Sequence, residues 1–202
     1  MEILRPRRPH PALRYTGFRC LGHRGGFSGR KVQMKAILTL LLLPVIATHP
    51  GQTAKWRQAS ERELGGVIPA RASVMKERIE TETRTASGVT DGHGKFIAGV
   101  VMITAGYAAE GKYSHFFITQ VPIRIADVQL KPGAYVFGLH RQDEDTIELT
   151  FYEADSGQPI GTAKAVPDKQ GGPIRSLIIS PPDNGKAFIK VGRFAAPYSL
   201  FQ

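Results

Sequence analysis

Three histidines, His93, His115 and His140, are the side chains after position 50 best suited to chemistry. Neutral imidazole is the commonest metal ligand, and three together could form an open zinc site. They lie 22 and 25 residues apart, so no pair has the close spacing of a strand or helix ligand motif. With a carboxylate such as Asp91, they define one functional reading, a metal-dependent or hydrolytic enzyme. Gly92-His93-Gly94 is too short to cradle a phosphate. Gln142-Asp143-Glu144-Asp145 offers carboxylates to calcium but lacks the alternating Asp-x-Asp-x-Asp-Gly pattern, and reads as a solvated tip. Neither Gly-x-Ser-x-Gly nor His-Glu-x-x-His occurs. No catalytic residue and no cofactor follows from these patterns.

The elements that must carry these residues read as strands. In Val128–Leu139, Lys131-Pro132-Gly133 predicts a tight turn between two strands, with Pro132 presetting φ and Gly133 taking φ > 0. Tyr135, Phe137 and Leu139 then alternate with smaller residues, the period of a half-buried strand. Phe96–Thr104 is continuously apolar and β-branched, which predicts a strand covered on both faces. Ala72–Thr83 alternates but is polar, as expected of one edge strand. Residues 86–94 predict a loop with Asp91-Gly92 as its turn. Strands are also expected at Lys112–Thr119, Val121–Ala126, Ile147–Tyr152, Pro159–Ala165, Ser176–Ser180, Ala187–Val191 and in the apolar tail from Ala195. About nine short strands separated by turn signals predict an all-β, single antiparallel β-sandwich or barrel.

Leu130-Lys-Pro-Gly-Ala-Tyr-Val-Phe137 resembles the Leu-Pro-x-Gly-x-Tyr hairpin of secreted bacterial β-sandwich modules of unknown function. It is more distantly similar to transthyretin-like and carboxypeptidase-regulatory-like domains. The resemblance covers about a third of the body. It implies fold and export, makes Ile123–Phe151 a meander, and carries over no catalytic residue.

The chain of 202 residues has a formal net charge of +10. Nine Lys and Arg against one acid precede residue 48, leaving the remainder at +2. A body this close to neutral gives no reason to expect a nucleic-acid partner. The single cysteine, Cys20, lies in the same basic segment, so the body holds no disulfide and no thiolate metal site.

Residues 1–33 are rich in Arg, Pro and Gly without periodicity and read as disordered. At Met34 a positive residue, an apolar run of about 12 residues and small residues form a secretory signal peptide. The expected cleavage is after Ala47, with Ala54 as the alternative. Met34 then serves as the true start, with 1–33 upstream of it. The expected organisation is a signal peptide at 34–47, a lead-in at 48–70 and a β-sandwich at 71–202. In the lead-in, Ser60-x-x-Glu63 matches a capping box, but Gly65-Gly66 follows at once, predicting a mobile segment.

Export plus an all-β body without catalytic motifs predicts a periplasmic or secreted protein. Its expected function is a non-catalytic binding or structural module of the cell envelope. Its expected partner is a protein, a glycan or a small apolar ligand, with Tyr107, Tyr113 and Tyr152 as candidate contact aromatics. Membrane contact is expected only through the signal peptide during export.

Overall fold

The alternating and continuous apolar runs become, in chain order, β1 (Arg57–Gln58), α1 (Glu61–Gly65), β2 (Arg71–Val74), β3 (Glu77–Thr90) and β4 (Phe96–Met102). They continue as β5 (His115–Thr119), β6 (Ile123–Ile125), β7 (Val128–Leu130), β8 (Gly133–Arg141) and β9 (Ile147–Glu153). The last are β10 (Pro159–Pro167), β11 (Arg175–Ile179), β12 (Ala187–Gly192) and β13 (Phe194–Leu200). This computed structural model describes residues 55–104, 112–169, 171–182 and 187–201. The basic segment at 1–33 and the signal peptide at 34–47 lie outside the described residues.

The fold is all-β, with thirteen strands among the described residues rather than about nine. The main path runs β1-β3-β4-β5-β8-β9-β10-β13-β12-β11, and the sheet curls so that its two ends approach each other. β10 makes the corner. Its body pairs with β9, while Val166 and Pro167 pair with Ala195 and Phe194 of β13. The apolar tail docks as expected, since β13 also pairs with β12 and β6. The Lys190–Asp168 ion pair, mostly shielded from water, ties β12 to the residue after β10.

Three local expectations are corrected. The turn at Lys131-Pro132 exists, but β7 and β8 do not pair. β7 pairs back onto β6, and β8 pairs with β5 and β9, so the chain crosses between halves of the sheet here instead of forming a meander. Gly133 has no positive φ. Its reason for being glycine is space, because a Cβ there would lie 3.2 Å from the Tyr135 hydroxyl. That hydroxyl donates to the Lys131 carbonyl at 2.7 Å, stapling the crossing.

The polar run at 72–83 is a hairpin rather than one edge strand, with Val74 opposite Glu77. Met75 and Lys76 make the turn at φ 48° and 75° without glycine. Met75 is held by its N–H, which donates to the Ala154 carbonyl, and by its sulfur, which accepts from the Tyr113 hydroxyl. β3 then runs on to Thr90 through most of the predicted loop. The Asp91-Gly92 turn is present, with Asp91 Oδ1 accepting from the N–H groups of His93 and Lys95.

The described part of the lead-in, from Lys55 on, is ordered. Ser60 caps α1 with both halves of the capping box in place, and Leu64 of this short helix is buried. β1 adds to the edge of β3 through Arg57↔Thr90 and Gln58↔Val89. One turn of helix suffices because tertiary burial of Leu64, rather than propensity, stabilises it.

Two cores result. The inner one packs Phe117, Phe137 and Phe151, all fully buried, with ring centroids 5.1–6.4 Å apart. Tyr135 and Leu139 join it as their alternation predicts. The outer one sets Ala98, Val100, Phe116 and Val136 against Leu64, Ile68 and the β2–β3 hairpin. β4 and β5 are therefore buried on both faces, which explains their continuous apolar text.

Candidate functional site

The three histidines do not meet. His93 is exposed in the β3–β4 turn. His115 is buried at the far end of β5, opposite Val101 rather than near the Phe96 end of β4. His140 is exposed on β8 beside Glu148, on the sheet face opposite Phe137. Among the described residues no group of three His, Cys, Asp or Glu is placed to hold a metal. Asp91 spends its carboxylate on its own turn.

His115 has a structural environment. Its ring stacks on Phe137 at 4.5 Å and 6°. Nδ1 meets Ser114 Oγ at 2.8 Å, while Nε2 has no hydrogen-bond partner. Burial pushes its pKa down to about 4, the nearby Ser176 backbone opposing this more weakly. The imidazole is neutral at physiological pH.

Two of the candidate aromatics, Tyr113 and Tyr152, pack against each other. Tyr113 is buried and meets Tyr152 edge to face at 5.2 Å. Tyr107 lies outside the described residues. At the acidic tip, Asp143 Oδ1 accepts from the Asp145 N–H, a local turn bond.

A cleft of about 1000 Å³ lies elsewhere, between β3, β11 and α1. Its origin is a bulge. Glu82 pairs with Val101 and Ser87 with Gly99, so five steps on β3 face two on β4. The extra backbone at Thr83–Ala86 has no register partner on β4. Thr85 substitutes for the broken ladder, its hydroxyl accepting from the Val101 N–H and donating to the Glu82 carbonyl. Bulges of this kind re-aim a strand and leave backbone unpaired.

The other wall is β11, which among the described residues pairs with β12 alone. Gly99 lets it approach β4, since a Cβ there would lie 3.0 Å from Leu177 Cδ2. β3 and β11 are joined where Ser87 Oγ accepts the Ile179 N–H at 2.9 Å. Away from that point the walls part. Leu64, Ile68 and Leu177 supply apolar lining, and Thr83, Ser176 and Gln58 supply polar groups. At the β1 end the opening is stopped by the chain itself, because the Ala59 N–H and Gln58 Nε2 both donate to the Gly88 carbonyl.

Two ion pairs lie beside this opening. Arg57 pairs with Glu63 at 2.6 Å and Arg84 with Glu82 at 2.9 Å. Hydrogen bonds from Arg57 and Ser60 bring the Glu63 carboxyl down to about 2. Comparison with protein-family models, with curated proteins and with solved structures finds no match. Sequence reasoning missed this site because its walls come from residues 83–87 and 173–178. The only local signal is Thr85-Ala86-Ser87-Gly88, small residues within an otherwise polar strand.

Proposed function

We propose that this protein is an exported, non-catalytic binding module of the bacterial cell envelope that holds its ligand in the cleft between β3 and β11. The observation that carries the reading is the cleft itself, bordered by two strand edges that no other strand covers among the described residues. Its volume is at the upper end for ligand sites. Apolar lining with a few polar groups is the usual composition of such sites. Export is supported by the Met34–Ala47 sequence pattern.

The test has two arms. The intact mass of protein recovered from its host's envelope fraction gives the mature start, expected at Thr48 or Lys55. Calorimetric titration with candidate ligands is then repeated on Ser176→Phe and Thr83→Phe, two exposed cleft positions. Binding abolished in both supports the cleft. Binding unchanged in both overturns it.

A further inference from the structure

The number of strands around the curl is odd. From β3 to β11 the path takes eight pairings, every one antiparallel. Nine strands result, and β11 therefore has the same sense as β3. A sheet of nine antiparallel neighbours cannot close on itself without one parallel junction. At that junction β3 and β11 do not pair as strands; a serine hydroxyl bridges them instead.

A tenth strand running opposite to both would make every junction antiparallel. The chain already begins such a strand. β1 lies antiparallel on the outer edge of β3 at Val89 and Thr90, and then leaves it at Ala59 to form α1. Beyond that point the edge at Thr83–Ala86 has no strand partner on either side among the described residues.

The geometry points to an extended peptide segment of a partner protein as the ligand, inserted between β3 and β11 and antiparallel to both. This rests on the cleft being the binding place. Adding a strand to an open edge is a general mode of peptide recognition, with main-chain hydrogen bonds supplying affinity. Here two edges are offered, so successive amides of the peptide bond alternately to β3 and β11. Clear of the Ser87–Ile179 bond, the walls are Thr83–Ala86 and Arg175–Ile178, which limits the inserted stretch to about four residues at about 3.3 Å each.

The test uses the full chain and linear heptapeptides selected against it from a displayed random library. Each amide of the tightest peptide is N-methylated in turn and affinity is measured by calorimetry. Insertion between two edges predicts a loss of about tenfold at each of about four consecutive positions, one hydrogen bond apiece. Losses at alternate positions only mean pairing with one edge, and overturn insertion. No loss at any position overturns strand recognition altogether.

Chitooligosaccharides serve as the comparison ligand. If no peptide is selected but these bind, and Ser176→Phe and Thr83→Phe abolish that binding, the peptide inference fails and the cleft reading stands. If selected peptides bind both variants as tightly as the wild type, the cleft reading fails with it. If neither ligand class binds, the peptide inference is overturned.

Discussion

Ser87 Oγ accepts the backbone N–H of Ile179 across 92 residues of sequence, at 2.9 Å and out of contact with water. Among the described residues it is the one hydrogen bond between β3 and β11. A side chain thus fastens two strands whose shared sense and bulged register keep them from forming a ladder. It sets where the cleft begins.

Ser87→Ala leaves the Ile179 N–H buried and unpaired. The expected loss is about 1–3 kcal/mol of stability, read as a lower urea midpoint at unchanged m value. Amide exchange at Ile179 should accelerate more than at Ile97.

Gly88→Ala should be worse. A Cβ there would sit 2.7 Å from the Ile97 carbonyl and 2.8 Å from the Ala98 Cβ, and neither can swing aside. Overpacking costs about 1–3 kcal/mol and more where backbone must move. Soluble yield and thermal midpoint should both fall well below those of Ser87→Ala.

The pH dependence of stability should carry the mark of His115. Its folded pKa, about 4, lies below the ordinary 6.5. The unfolded chain therefore takes up the proton first, and stability falls as pH drops from about 6.5 to about 4. At ~1.4 kcal/mol per unit the total is on the order of 3 kcal/mol. Glu63 and Glu82, whose pKa values are lowered from 4.5, lose their contributions only below that value. The window between pH 4.5 and 6.5 is thus diagnostic. Urea titrations at pH 7, 5.5 and 4.5 should show a slope in the wild type that His115→Phe removes.

Ser60→Ala removes the cap of α1, at a cost of about 0.5–2 kcal/mol. Leu64 sits on that helix and lines the cleft, so ligand affinity should weaken alongside stability. Ser60→Asp, which also caps, should restore both.

What the sequence made legible was burial pattern. The strand covered on both faces at Phe96, the alternation of Tyr135, Phe137 and Leu139, and the docking tail all follow from hydrophobic period. Pairing partners were less legible. Lys131-Pro132-Gly133 has the composition of a hairpin turn, yet a crossing between distant strands uses the same residues, and only tertiary pairing separates the two. Met75-Lys76 turns the chain with none of the usual turn residues, because contacts from Ala154 and Tyr113 hold it. Ser60-x-x-Glu63 was a true cap that Gly65-Gly66 concealed, since one turn of helix was enough. The cleft depends on the parity of nine strands and on a register shift, which no local pattern encodes.

Hydrogen exchange on the full chain, alone and saturated with a selected heptapeptide, tests the central claim most directly. The account predicts fast exchange at Thr83 and Arg84 in the free protein, against slow exchange at Ile97–Val100. It predicts new protection on peptide binding, confined to 83–86 and 175–178. Slow exchange at Thr83 and Arg84 without peptide, or protection arising on another face, would contradict it.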